Sequence, residues 1–429
     1  KIARRAEELG ISPSELVDQN AKKFRDLKDI FNLSWDSFIR TTDQKKHWPV
    51  VIAVWKKLHK NGDLYRKAYE GLYCVGHEAF VTKKDLDDGG LCVIHRTMPE
   101  HVQEENWFFR LSKYASRIEG LLKKNTLQVI PEGRARELTS LLKEGVYDVS
   151  FSRPRKDLKW GVPVPGDDTQ TMYVWADALV NYLSQCRGMR ASLWPPHLQI
   201  IGKDILRFHG LIWIGMLLSL KKKLPKKFLV HGFVTMKGEK MSKSLGNVVD
   251  PVELSKKYGA DAVRYFLLSE IPSDGDGDFT IEKLEARYQG DLANGLGNLV
   301  ARIAALGERI GAMRYSERAV IPEIRIAVKK IEKAYHADMK NFQLHAAIHL
   351  AWEIIGLADR YINQEKPWAV ADQKALSKII INATCAVFAV QRLIAPFLPE
   401  TAEKIAEQFL LKNGKLKITK KESLFPRLK

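Results

Sequence analysis

Two lysines three apart, Lys240 and Lys243, stand in the run Gly238-Glu239-Lys240-Met241-Ser242-Lys243-Ser244-Leu245-Gly246-Asn247. A glycine on each side permits a mobile loop. With only small hydroxyl residues and a methionine around them, the two cations can close on a triphosphate. There they would neutralise the charge that develops on a departing pyrophosphate. A solvated basic surface loop is the plain alternative, and it suits an isolated lysine pair. This pair follows a buried-strand pattern, Phe228 to Phe233, which favours a functional loop.

A second constellation is Cys74-x2-His77 followed by Cys92-x2-His95. Two pairs of soft-to-borderline ligands, separated by a hairpin-length segment, suit tetrahedral Zn2+. The alternative is a knuckle that folds without metal, with surface histidines and two small buried cysteines. Cys186 and Cys385 stand alone and read as packing residues. Aromatic residues gather around a third set, Trp175, Tyr182 and Phe208, with Asp204 and His209 near the start of a helical pattern. Single aromatics at such spacings are usually core. A buried His209 with Asp204 beside it is harder to assign to core, because buried polar groups need partners.

The elements that must position these residues follow from pattern and composition. A chain of 429 residues, 45% hydrophobic and 28% charged, is globular and long enough for two to four packed units. Its net charge of +18 points to a polyanionic partner, nucleic acid being the commonest. Four cysteines exclude a disulfide scaffold and indicate a reducing compartment. The apolar run Gly210 to Leu220 is too short to span a bilayer, so no membrane segment is expected. Residues 1–10 read as helix closed by glycine, and Ser12-Pro13-Ser14-Glu15 opens another. Asp36 to Thr42 reads as a buried strand, and Val50 to Lys60 as a helix ended by Asn61-Gly62. Helical periodicity is lost over 70–110. Gly161 to Gly166 reads as loop, Thr171 to Trp175 and Leu198 to Gly202 as strands, and Lys203 to Leu220 as helix. Strands spaced by helices predict a parallel α/β sheet. From about 285 onward the pattern is helical throughout, with Leu296, Leu299, Val300, Ile303, Leu306 and Ile310 forming one apolar stripe.

Lys240-Met241-Ser242-Lys243-Ser244 resembles the second signature of class I aminoacyl-tRNA synthetases. The segments Trp160 to Gly166, Tyr173 to Ala178, Ile201 to His209 and Val248-Val249-Asp250-Pro251 are similar, in order and spacing, to the methionyl-tRNA synthetase family. The similarity runs on to Leu424-Phe425-Pro426. What it implies is an α/β class I Rossmann-type parallel sheet with a zinc-knuckle insertion, followed by an all-α anticodon-binding bundle. The implied divisions are 1–46 for the first Rossmann half, 47–150 for the insertion and 151–252 for the second half. A stem-contact region, 253–286, and the helical domain, 287–429, complete them.

The implied reaction is ATP-dependent attachment of methionine to tRNA(Met), initiator tRNA included, through methionyl-adenylate. By the resemblance, Lys240 and Lys243 are catalytic, and with Ser242, His231 and Gly232 they bind ATP, which enters with Mg2+. Trp175, Ala178, Tyr182, Asp204, Phe208 and His209 would line the methionine pocket. Cys74, His77, Cys92 and His95 would hold structural Zn2+, although His77 stands where a cysteine is usual. Asn298, Arg302 and Trp368 would read the anticodon, whose single-stranded bases stack and hydrogen-bond. A cytoplasmic monomer is the expectation. The family's first signature, a His-x-Gly-His type element, does not occur, and the chain starts with lysine inside a helical pattern. The sequence therefore reads as N-terminally truncated, with an incomplete sheet and poor activity expected of the polypeptide alone. A tRNA-binding protein that has lost catalysis is the alternative, and an intact lysine motif argues against it.

Overall fold

Serine and proline chemistry opens the first long helix as predicted. In the computed structural model, which describes residues 2–76, 79–241 and 248–428, α1 (Ile2–Glu8) precedes α2 (Pro13–Ile30). The Ser12 hydroxyl accepts the Glu15 N–H at 3.1 Å, satisfying one of the helix's orphan donors. The chain forms two compact units, Lys1–Asp26 with Ser34–Val230, and Leu27–Leu33 with His231–Lys429.

In the first unit, the strand predicted over Asp36 to Thr42 is absent, and the segment is irregular and partly exposed. A strand needs an edge to pair with, whereas these residues spend their side chains on local partners. Arg40 is ion-paired with Asp18, and Arg25 lies over the Phe38 ring. Next, α3 (Trp48–Lys60) buries Val51, Val54, Trp55 and Leu58, one apolar face at helical spacing. The long β1 (Leu64–Cys74) pairs antiparallel with β2 (Ala79–Val81) and with β3 (Glu100–Phe109). After α4 (Ala115–Lys123), β4 (Gln128–Ile130) and α5 (Glu132–Glu144), β5 (Val149–Ser150) joins β3. A small antiparallel sheet follows from β6 (Ser152–Pro154), β7 (Pro163–Val164) and β8 (Asp167–Met172).

Two expectations change here. Residues 161–166 are not loop throughout, because Pro163 pairs with Thr171 across β7 and β8. The strand expected to run to Trp175 stops at Met172, and Trp175 belongs to α6 (Val174–Ala178), followed by α7 (Asn181–Gln185). By contrast, β9 (Leu198–Gly202) has the predicted bounds. The helical stretch after it includes a π-helical segment, Phe208–Trp213, and then α8 (Ile214–Ser219). Finally β10 (Lys227–His231) lies between β4 and β9, parallel to β4, as strands spaced by helices require. Phe109, Phe151, Trp213 and Phe228 anchor this unit's core.

The second unit begins with β11 (Val234–Met236) and β12 (Glu239–Lys240). Then come α9 (Pro251–Tyr258), capped by the Asp250 carboxylate, α10 (Ala260–Glu270) and β13 (Gly277–Asp278). Helices α11 (Ile281–Arg287) and α12 (Asn298–Ile310) flank a second π-helical segment, Tyr288–Gly297. Beyond β14 (Met313–Arg314) lie α13 (Pro322–Lys340), α14 (Leu344–Glu365), α15 (Gln373–Ile394) and α16 (Pro399–Gln408). The predicted stripe is on the inside, with Leu296, Leu299, Val300 and Ile303 buried. Arg264 on α10 gives its guanidinium N–H groups to the carbonyls of Phe31, Pro396 and Phe397, so residues of 27–33 are fastened into this unit.

The C-terminal third is not all-α. Strands β15 (Phe409–Lys412) and β16 (Lys415–Ile418) form a hairpin, and β14 adds to it antiparallel. Asn413 and Gly414 both have positive φ, 50° and 72°, which the hairpin turn demands. Helix α15, at 22 residues, is long and apolar enough by length and composition to cross a membrane. In this protein 67% of its apolar window is buried, and Ile380, Ala383, Val387 and Ile394 pack in the core.

Candidate active site

Short helix α6 leaves β8 with no intervening loop, so Trp175 is carried directly off the end of a strand. Its indole stacks on Phe208 with ring centroids 4.2 Å apart and planes within 10°. His209 meets the edges of Trp175 and Tyr182 at 6.1 and 5.8 Å. The His209 Nδ1 lies 3.0 Å from the Ile205 carbonyl, which can only accept, so Nδ1 carries the proton. The bare Nε2 then accepts from the Tyr182 hydroxyl at 2.9 Å. Burial pushes the imidazole below its ordinary pKa, against a weaker opposing pull from the Ile205 carbonyl, and the ring is neutral. Burial also pushes the Tyr182 phenol up to about 12, so it stays a donor. His209 itself lies in the π-helical segment Phe208–Trp213, a geometry frequent where a helix presents functional side chains. The Trp175 Nε1 is buried and has no acceptor among the described residues. Ala178 is half-buried at the end of α6, while Asp204 is exposed and apart from this cluster's hydrogen bonds among the described residues.

Behind the cluster lies a group that sequence reasoning missed. His47, fully buried just before α3, approaches Asp177 Oδ1 at 2.5 Å through Nε2 and Ser184 Oγ at 2.8 Å through Nδ1. The Ser184 hydroxyl donates to the Val180 carbonyl, which leaves Oγ to accept from His47 Nδ1–H. A hydrogen bond between Nε2 and the Asp177 carboxyl needs a proton between them, so the two groups hold one in common. Burial raises the Asp177 pKa and the histidine pulls it partly back. Asp177 sits between Trp175 and Ala178, and Ser184 lies two residues beyond Tyr182. His47 thus ties both short helices of the cluster together. A spacing of 130 residues between His47 and Asp177 leaves no local signal.

The metal candidates converge where they are described. Cys74 ends β1, and its Sγ lies 3.8 Å from His95 Nδ1; Cys92 Sγ lies 3.7 Å from the same atom. The three ligand atoms are all within 4.8 Å of one another. Ligands about 2.0–2.3 Å from a tetrahedral zinc stand roughly 3.5–4 Å apart, so two thiols and an imidazole fit the ion. A Cβ on Gly76 would lie 2.4 Å from His95 Cγ, so only glycine lets the backbone pass this close to the ring. His77 lies outside the described residues. Nearby, buried Arg153 pairs with Glu104 at 3.1 Å and lies 4.4 Å from the Tyr73 ring centre, which makes it a structural tie.

In the second unit, His231 is exposed, with Nδ1 2.8 Å from the Gly232 carbonyl. A Cβ on Gly232 would stand 2.1 Å from the Gly275 carbonyl oxygen, so the close backbone approach requires glycine. The backbone of Lys240 pairs with Thr235 across β11 and β12. Ser242 and Lys243 lie outside the described residues. Asn298 is exposed at the start of α12. One turn on, Arg302 donates to Asp359 and Asn363, each at 2.7 Å, and its guanidinium carbon lies 5.4 Å from the Trp368 ring centre. That ring is 55% exposed.

The family described as tRNA synthetases class I (M) matches residues 1–88 and 82–304. The methionine–tRNA ligase of Brucella suis is 36% identical over 425 residues, which cover 95% of this chain and 81% of that protein. The corresponding ligase of Clostridium acetobutylicum is 38% identical, covering 100% of this chain and 70% of the relative. The chain belongs to the methionyl-tRNA synthetase family.

Among solved members of that family, the Mycobacterium tuberculosis methionyl-tRNA synthetase bound by methionyl-adenylate superposes with a TM-score of 0.90 at 31% identity. The match covers 99% of this chain and 90% of that one. Its apo form superposes at 0.83 and 30% identity, covering 97% and 88%. The methionyl-tRNA synthetase fold, with its parallel sheet and C-terminal helical region, therefore accounts for the whole described chain.

Proposed function

We propose that this protein joins methionine to tRNA in two steps, through methionyl-adenylate. The observation that carries this reading is the near-complete superposition on a synthetase holding methionyl-adenylate. In the first step the methionine carboxylate attacks the α-phosphorus of ATP, and the bond to pyrophosphate breaks. In the second, a hydroxyl at the 3′ end of the tRNA attacks the adenylate carbonyl and AMP leaves. Little covalent work falls to the protein, so rate comes from positioning and electrostatics.

Trp175 and Phe208 hold the thioether, since sulfur packs favourably against aromatic rings. Neutral His209, with Tyr182 donating to it, presents no net charge to the side chain, which disfavours acidic and basic amino acids. The unpartnered Trp175 N–H supplies a donor that a ligand oxygen can satisfy. Ala178 leaves room and Asp204 works from the rim. Lys240 and Lys243, with Ser242, His231 and Gly232, bind Mg2+-ATP and stabilise the leaving pyrophosphate. Asn298, Arg302 and Trp368 take the anticodon of tRNA(Met). The division into 1–46, 47–150, 151–252, 253–286 and 287–429 assigns adenylate chemistry, knuckle, stem contact and anticodon reading along the chain. Cys74, Cys92 and His95, with His77, would hold zinc, which when bound supplies a structural cross-link.

ATP–pyrophosphate exchange with a panel of amino acids tests the reading. Methionine alone is expected to drive exchange, and exchange driven by isoleucine, leucine, valine or cysteine in its place would refute it. A tRNA binder without catalysis would have no use for a neutral buried histidine against a stacked Trp175–Phe208 pair.

A further inference from the structure

A groove of about 650 Å³ lies on the second unit, between the end of α12, β14 and the first turns of α15. Arg309, Arg314, Lys374 and Lys378 line it with Ser377 and Ile381, and no carboxylate does. All four cations are exposed, and none has an ion-pair partner among the described residues. Two acids next to these cations in sequence are otherwise engaged. Asp372 caps α15 through the N–H groups of Lys374 and Ala375, and Glu308 accepts the Lys420 N–H.

Three placements work against local stability. Lys374 stands in the first turn of α15, where the helix dipole repels a cation and the capping Asp372 offsets that repulsion only in part. Lys374 and Lys378 are four apart on that helix, a like-charge pair. Across the sheet Arg314 faces Lys415, which in turn faces Lys412, so like charges stand opposite one another on three strands. A solvated surface without a partner gains nothing from such crowding, whereas a polyanion relieves all three repulsions at once.

The groove also continues the Arg302 and Trp368 surface. Arg302 and Arg309 are seven residues apart and share a face of α12, about 10 Å along its axis. Trp368 lies a few residues before Lys374 in the chain that enters α15. We propose that this groove binds the phosphate backbone of the tRNA next to the anticodon, as a sequence-independent track beside the base-reading platform. The proposal rests on the reading of the chain as a tRNA ligase. Phosphate contacts of this kind position RNA and carry no base information, so they act equally on tRNAs with altered anticodons.

The test is the salt dependence of tRNA(Met) transcript binding to the full chain. The fourfold variant R309Q/R314Q/K374Q/K378Q is compared with a control quartet of exposed lysines on α13, K329Q/K330Q/K333Q/K340Q. Each lost phosphate contact flattens the slope of log Kd against log salt by about 0.7, so the groove variant should lose roughly 3 and the control none. Should the fourfold variant fail to fold by thermal unfolding, the singles R309Q and K374Q should each lose about 0.7. An unchanged slope in the groove variants, or an equal change in the control, overturns the proposal while leaving the ligase reading intact. Absence of any tRNA binding by the unaltered chain overturns both.

Discussion

The aromatic cluster around His209 and the aromatic face around Arg302 use similar residue types to opposite ends. In the first, Trp175 stacks on Phe208, and His209 is buried with both of its ring nitrogens committed to named partners. In the second, Trp368 is mostly exposed and is steadied by a cation rather than by packing. A small apolar ligand gains most from a dry, preformed cavity, because its few atoms cannot offset much reorganisation. An RNA base brings its own broad π-face, and an exposed ring needs only the correct orientation to receive it. On the proposed reading, enclosure would serve the side chain of an amino acid, and presentation a nucleotide.

That contrast can be broken most severely at His47, the hidden support of the enclosed site. Replacing it, His47→Leu, leaves the Asp177 carboxyl buried without its partner and should cost about 3 kcal/mol of stability, read by denaturant unfolding. Trp175→Ala comes next. Loss of the stacked face should raise the KM for methionine roughly 100-fold, about 2.7 kcal/mol, with the KM for tRNA little changed. Trp368→Ala should act on the other side of the comparison, raising the KM for tRNA by roughly tenfold while the methionine KM holds. Equal effects of both tryptophans on both substrates would erase the distinction.

The smallest effect is a pH dependence. His209 titrates below its ordinary 6.5, so the KM for methionine should stay flat from about pH 8.5 to 6.5. Below that, a proton on Nε2 displaces the Tyr182 hydrogen bond and the KM should rise, a change His209→Gln should abolish. Linkage has the same sign. The unfolded chain takes up a proton near 6.5 while the folded one does not, so this group's contribution to stability declines as pH falls below that value.

Much of the aromatic cluster was legible because its residues sit in short contiguous motifs. Tyr173 to Ala178 and Ile201 to His209 carry Trp175, Phe208 and His209 within a few positions of recognisable strand ends. His47 was illegible for the converse reason: it is linked to Asp177 and Ser184 only through tertiary packing. The predicted strand over Asp36 to Thr42 failed because β-branched and aromatic residues indicate a strand only when an edge awaits them. The terminal hairpin was readable and overlooked. Asn413-Gly414 between alternating apolar residues is the strongest short-range hairpin signal, but it was masked by the helical periodicity before it. The Cys74, Cys92 and His95 convergence followed from spacing alone, because a hairpin brings two such pairs together wherever it turns.

The path of the backbone between the two compact units has a practical corollary. Polypeptide enters the second unit at Leu27, leaves after Leu33 and returns at His231, while Arg264 grips the carbonyl of Phe31 and Asn32 bonds Glu400. A gene divided between Val230 and His231 would therefore yield a C-terminal half whose arginine has lost one of its three anchors. Anyone wishing to express that half by itself would need to graft the short excursion back, by circular permutation or as an added peptide.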